Sequence, residues 1–337
     1  MNITKLRLPG LMAGAAFGLS MLLGAAPAHA AAAKVYFMHD GIVYLITGNK
    51  ISTPALHPKR NPPVPENVEN YDPNYMYTGD IVLPATVEYK GVTYTLDDLS
   101  TGFKGMPITS IVMPETVTTL GNGAFQDCDQ LTSVTMSPAV TKYTTSLFAG
   151  CVKLKEFTVP GNITQLGSSM FKDCTGLEKL TFEASDTPLS LTALHIIDGP
   201  DKNLKELYAY RQLDDDGTMA NKPFRGNTNL TKVVVGEKFT KLSASYFEGC
   251  SALADVTFEG QPTEFNSATF AGTAVKSIEI PASITNIPAS CFAGCAQLAK
   301  VTCKGEVAAI EAMAFQNTGL ATFDGFPASI ATIADMA

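Results

Sequence analysis

Four histidines, seven cysteines and 32 carboxylates are the raw material for catalysis or metal binding in this chain of 337 residues. His39, His57 and His195 stand far apart, with no H-x-x-x-H pair on a helix and no cysteine cluster of zinc spacing, so a metal centre is not expected. A serine nucleophile would need an elbow such as G-x-S-x-G, and the chain has none. The run Asp214-Asp215-Asp216-Gly217 begins as calcium loops begin, but Arg225 stands where a bidentate Glu would close one. A solvated loop is the expectation there. These absences predict a protein that is not an enzyme and has no catalytic residue, no metal and no cofactor.

The elements around these residues follow from composition and periodicity. Hydrophobic residues make up 45% of the chain against 17% charged, with no Trp and 27 Gly, which predicts a folded protein of many short strands and turns. Residues 1–30 read as a secretory signal. Lys5 and Arg7 open it, an apolar stretch runs from Leu11 to Ala26, and Ala28-His29-Ala30 fits a cleavage site after Ala30. No later stretch reaches the roughly 18 apolar residues of a spanning helix, so no membrane span is expected after cleavage. The net charge of −8 becomes more acidic once Lys5 and Arg7 are removed, which argues against nucleic acid as a partner.

Residues 31–99 predict a β-rich cap. Asp40-Gly41 and Lys90-Gly91 sit between strand-like runs as hairpin turns, and a Pro-rich connection from Pro54 to Pro65 is expected to be irregular. From residue 100 to 337 the chain repeats itself. Phe103, Phe125, Phe148 and Phe171 recur at 22 or 23 residues, as do Phe224, Phe247, Phe270, Phe292 and Phe315. An irregular unit at 183–223 separates the two series, with its strand at Asn203 to Tyr208. Three residues after the ring comes Cys128, Cys151, Cys174, Cys250 or Cys295, replaced elsewhere by Asn227, Thr273 and Thr318. A strand of L-x-x-V-x-V form follows, as in Leu131, Val134 and Met136, then a Pro or Gly turn and a second apolar pair. About six apolar side chains per unit cannot form a core alone, so about ten coils must stack, with the Phe column as the repeated core.

The string FQDCDQLTSVTMSPAVTKYTTSLFAGCVKLKEFTVPGNITQLGSSMFKDCTGLEKLTF resembles the BspA-like leucine-rich repeats, of pattern AFxxCxxLxxVxxPxxVxxIxxxAF. The resemblance runs from Phe103 to Ala337, and the lead-in YTGDIVLPATVEYKGVTYTL resembles the strand-rich cap that precedes such repeats in exported bacterial proteins. It implies a right-handed repeat solenoid with short helical turns, placed at the cell surface or outside the cell, with a role in adhesion or host contact. It transfers no ligand.

Within that frame the columnar cysteines are expected to be small buried thiols, since Asn and Thr take the same place. Cys291 and Cys303 lie off the column and are the pair to bridge if any does. The x positions of each strand face away from the core, exposing Thr135, Thr158, Thr181, Thr257 and Thr302, with Glu279 and Val234 as exceptions. The irregular unit breaks this column with Tyr208, flanked by Lys205 and Glu206 and followed by Tyr210 and Arg211. Tyr and Arg are enriched at binding hot spots, so these five residues form the candidate ligand contact. The alternative places Tyr208 on its own insertion loop. At the other end, Pro327, Ile330, Ile333, Met336 and Ala337 repeat Pro281, Ile284, Ile287, Ser290 and Cys291, so the sequence is expected to stop mid-coil, as a fragment or with an uncapped coil open to self-association. The expected function is display of a repeat surface to a host or neighbouring-cell protein or glycan. A spacer or self-associating surface protein is the alternative.

Overall fold

The computed structural model describes residues 34–54, 76–191, 203–215, 222–320, 322–324 and 330–337. Residues 1–30, expected as a secretory signal, most of the Pro-rich connection, His57, His195, Asp216, Gly217 and Pro327 lie outside the described residues.

The cap forms where turn chemistry demands it. β1 (Val35–His39) and β2 (Ile42–Thr47) pair antiparallel through Asp40 and Gly41, whose φ values are 47° and 79°. β5 (Thr86–Tyr89) and β6 (Val92–Leu99) do the same through Lys90 and Gly91 at 52° and 77°. Two successive positive φ angles give a turn whose twist matches its strands. β3 (Lys50–Ser52) joins β2 to β6. The cap then runs into the coils without a break. β4 (Gly79–Val82) pairs in parallel with β7 (Ile108–Val112), and the end of β6 pairs with β8 (Thr119–Leu120). Tyr77 lies 5.3 Å from the ring of Phe103, inside one continuous core.

Each coil beyond contributes one longer strand and, in all but two, a short one; in those two the second pairing is the single bridge between Lys142 and Gln165. The longer strands form a column: β7, β9 (Ser133–Thr135), β10 (Glu156–Val159), β11 (Lys179–Phe182), β13 (Glu206–Arg211), β15 (Lys232–Lys238), β17 (Asp255–Phe258), β19 (Ser277–Ile280), β21 (Lys300–Cys303) and β23 (Thr322–Asp324). The short ones are β8, β12 (Leu189–Ser190), β14 (Leu213–Asp214), β16 (Lys241–Leu242), β18 (Glu264–Phe265), β20 (Asn286–Ile287), β22 (Ala309–Ile310) and β24 (Thr332–Ile333). All pairing along both columns is parallel, as a solenoid requires. The long column is hydrogen-bonded in three runs, β4–β7–β9, β10–β11–β13–β15–β17 and β19–β21–β23.

The expected helical turns are not helices, and no helix occurs among the described residues. The residues two before and two after the ring explain this. Ser146 and Gly150 flank Phe148 with φ of 56° and 78°, and Ser290 and Gly294 flank Phe292 with 57° and 73°. An α-helix needs φ near −63°, so these left-handed residues stop it from starting. They turn alternate amides toward the next coil instead. Ser146, Phe148 and Gly150 donate to the carbonyls of Ser168, Met170 and Lys172 at 2.9, 3.0 and 2.8 Å. Ala268, Phe270 and Gly272 repeat the motif onto Ala289, Cys291 and Ala293.

The rings this turn holds lie one upon another inside the stack. Phe125, Phe148 and Phe171 are 5.6 and 5.9 Å apart, and Phe247, Phe270, Phe292 and Phe315 are 5.8, 5.5 and 5.4 Å apart, all near parallel. All seven are buried. Each fully buried large apolar side chain contributes about 1.5–3 kcal/mol.

Beside the rings runs a ladder of thiols. Cys128, Cys151, Cys174, Cys250 and Cys295 each donate to the carbonyl of the Phe in the preceding coil, at 3.0–3.1 Å. Where Asn227 replaces Cys, its amide donates to Leu204 and its oxygen accepts from the amides of Asn229 and Leu230. The column therefore selects a small buried donor. All seven cysteines are free, so Cys291 and Cys303 form no bridge in this structure. Burial pushes the Cys128 and Cys174 thiols up to about 12.

Candidate functional site

Strand parity decides what β13 shows to solvent. Leu207, Ala209 and Arg211 point inward and are fully buried, while Glu206, Tyr208 and Tyr210 face outward and are half-buried. This corrects the expectation for Arg211, which is no part of an exposed patch. Its place two residues after Ala209 aims the guanidinium into the stack. There it donates to the carbonyls of Ile163 at 2.9 Å, Gly161 at 3.3 Å and Thr187 at 3.2 Å. Burial lowers its pKa from the ordinary arginine value.

The outward side chains assemble across coils. Glu156, Lys179, Glu206, Lys232 and Asp255 are register partners on β10, β11, β13, β15 and β17, so charge alternates at every step. Neighbouring strands lie about 4.8 Å apart, close enough for each pair to interact. Two residues on, the register runs Thr158, Thr181, Tyr208, Val234, Thr257. Tyr208 therefore sits against the charge ladder. Its hydroxyl donates to Glu206 Oε2 at 2.8 Å, and the ammonium groups of Lys179 and Lys232 lie 5.4 and 5.5 Å from its ring centroid, on strands either side. Lys205 pairs with Glu178 at 3.0 Å nearby. Tyr208 is thus held by strand neighbours, while residues 192–202 of the irregular unit lie outside the described residues.

Two other expectations change. Val234, expected among the outward exceptions, is only 2% exposed, because the neighbour in register with it is the large Tyr208 side chain. Asp215, expected in a solvated loop, accepts from Lys222 at 2.9 and 3.0 Å with both side chains 2% exposed. Arg225 instead clasps Glu248 through two bonds of 3.0 and 3.1 Å. Tyr210 keeps its place through a bulge between Ala209 and Arg211, opposite Gly236. A Cβ on Gly236 would stand 2.7 Å from the Tyr210 Cα, so the backbones approach there as only glycine allows.

The reading from sequence missed Lys179 and Lys232, which lie 29 residues before and 24 after Tyr208. The available signal was the first outward position of each strand, where Glu and Lys alternate. Among the described residues no group of three or more His, Cys, Asp or Glu could hold a metal ion. No helix among them is long and apolar enough to cross a membrane.

A stack of parallel strands with a buried ring at each turn and a polar outward ribbon defines a leucine-rich-repeat solenoid. The chain belongs to the BspA-type leucine-rich-repeat family: the model of the BspA type leucine-rich-repeat region matches residues 100–195 and 217–337 in 6 copies. The unmatched interval falls within the irregular unit. The chain is similar to a leucine-rich cell surface protein from Faecalibacterium prausnitzii, at 17% identity over 90% of this chain and 95% of that one, with a TM-score of 0.34. It is also similar to the pneumococcal vaccine antigen PcpA, at 13% identity over 90% and 100%, with a TM-score of 0.38. A leucine-rich-repeat protein from Bacteroides ovatus is 17% identical over 91% and 90%, at 0.30. Comparison with curated proteins finds no match.

Proposed function

We propose that this chain is an exported, non-catalytic surface protein that binds a host or neighbouring-cell protein or glycan through the outward ribbon of β10, β11, β13, β15 and β17. The observation that carries the reading is Tyr208, half-exposed between two lysines and hydrogen-bonded to Glu206. A ring already held in one orientation gives up little freedom when a partner covers it, so more of the contact energy remains as affinity. Tyr210 extends the aromatic surface, and Lys205 and Glu206 supply polar contacts at its edge. Export rests on Lys5, Arg7, the apolar stretch and Ala28-His29-Ala30.

The test is a screen of the secreted chain against extracellular-matrix proteins and glycans, repeated with Tyr208→Ala and Lys232→Ala. Binding that weakens about tenfold or more in either variant supports the site, a loss of about 1.4 kcal/mol. Binding that ignores both variants moves the contact elsewhere. The pairs Lys205–Glu178 and Lys179–Glu156, at 3.0 and 3.5 Å, neutralise much of the ribbon internally and favour a second reading as a spacer. Silence across the screen supports that one.

A further inference from the structure

The strand column is interrupted between β17 and β19. β17 ends one sheet and β19 begins the next, and among the described residues no backbone hydrogen bond joins them. Yet the same two coils stay clamped at the turn, where Phe247 and Gly249 donate to Thr269 and Ala271 at 2.9 and 2.8 Å and the Phe247 and Phe270 rings stack. The coils are thus closed on one side and parted on the other. An opening of about 660 Å³ occupies the parting, between Asp255 to Phe258 on one wall and Ser277 and Glu279 on the other.

Two features show that the parting cuts through the sheet itself. The core positions of β17, Val256 and Phe258, are only half-buried, while their counterparts Val233 and Val235 on β15 and Ile278 and Ile280 on β19 are buried. The backbone gives the second feature. Asp255 and Glu259 donate toward β15, and Lys276 and Ile280 accept from β21, so by strand alternation Val256 and Phe258 face the gap from one side and Ser277 and Glu279 from the other. Two rows of strand-edge donors and acceptors therefore look at each other across an open space. A row of this kind is a template for a further strand.

We infer that this gap is a strand-acceptor site, filled by an extended peptide segment of a partner protein that pairs with both edges at once. Only an extended backbone offers donors and acceptors on both sides at the spacing of a sheet. Alternate side chains of the guest turn inward, level with Val256, Phe258, Ile278 and Ile280, and must be apolar. The others turn outward past Asp255 and Glu279; Lys304, which also lines the opening, pairs with Glu279 at 3.0 Å, so these three leave one net negative charge at the rim, which favours Lys or Arg in the guest. The guest is therefore a short strand alternating aliphatic and basic residues. The site lies beyond the Tyr208 ribbon's centre, two strands along the column, and does not depend on that reading.

Hydrogen exchange resolved to single amides tests it on the full chain. The probe is the hexapeptide Lys-Val-Lys-Val-Lys-Val, blocked at both ends, with a control N-methylated at its valines. In the free protein the amides of Val256, Phe258, Ser277 and Glu279 should exchange at least about tenfold faster than those inside β15. The probe should slow these four by a similar factor, the methylated control should not, and Tyr208→Ala should leave the effect unchanged. The inference is overturned by four amides already as protected as those of β15, by no protection at saturating probe, or by equal protection from the control. Protection that rises with protein concentration alone would also overturn it, by making a second copy the occupant. A Thr257→Cys/Glu279→Cys variant adds an independent check. These positions would be register partners in a closed sheet, so rapid disulfide formation in air shows the gap shut in solution and sinks the proposal, whereas persistent free thiols uphold it.

Discussion

Arg211 Nη1 donates to the carbonyl of Ile163 at 2.9 Å, tying β13 to a coil two turns earlier in the stack. The same side chain also reaches Gly161 and Thr187, so one buried guanidinium satisfies carbonyls on successive coils beside the irregular unit. Arg211→Ala should cost about 2–4 kcal/mol in denaturant unfolding, since the buried Ile163 carbonyl and two part-buried carbonyls lose their donor together. Arg211→Met keeps most of the packing and should lie between that variant and the parent. An unchanged midpoint for Arg211→Ala would mean that water already serves those carbonyls.

Phe171 lies 5.9 Å from Phe148 and 5.3 Å from Phe157, at the end of the first ring series. Phe171→Ala should cost about 3–5 kcal/mol, the range for a large aromatic removed from a core. Chemical denaturation followed by circular dichroism checks it, and a loss under about 1 kcal/mol would show that the coils do not depend on this ring.

The thiol ladder predicts an alkaline limit. Cys128 and Cys174 are raised from an ordinary 9.0 to about 12, so the folded state keeps protons that the unfolded chain releases. That sign means the contribution is whole below pH 9 and erodes as pH rises from 9 toward 12. Unfolding midpoints measured across that window should fall less in a Cys128→Ser/Cys174→Ser variant than in the parent. At neutral pH a thiol reagent should label half-buried Cys303 first and the columnar thiols only after unfolding.

Lys222 and Asp215 form an ion pair with both side chains 2% exposed. Lys222→Ala strands a buried carboxylate and should cost about 3–5 kcal/mol, while Lys222→Met/Asp215→Leu should recover most of the loss. Thermal unfolding of the three proteins decides it. A double variant as unstable as the single one would show that Asp215 has a structural role beyond this pair.

Much of the architecture was legible because it depends on chemistry that repeats locally. A ring every 22 or 23 residues, a small polar residue three later and two apolar pairs can be met only by coils that stack. The nature of the turn was less visible. Ser169, Ala268 and Met313 adopt φ of 55°, 56° and 61°, and nothing in those residue types marks a left-handed position. The coil-to-coil hydrogen bonds impose it. Arg211 is the opposite case: its parity with Leu207 and Ala209 was readable, but a charged residue is seldom fully buried, and only the carbonyls waiting inside the stack make it tolerable.

The sequence by itself determined the repeat, the stacked rings, the column of small donors and the two hairpin turns of the cap, because each follows from spacing within one coil. Tertiary structure alone decided which residues meet across coils: Tyr208 between Lys179 and Lys232, Arg211 beneath Ile163, and the parted edges of β17 and β19. Those contacts join residues more than 20 positions apart through coils of unequal length, so no local pattern encodes them. Register between layers is settled only when the whole stack closes on its rings and its backbone ladder.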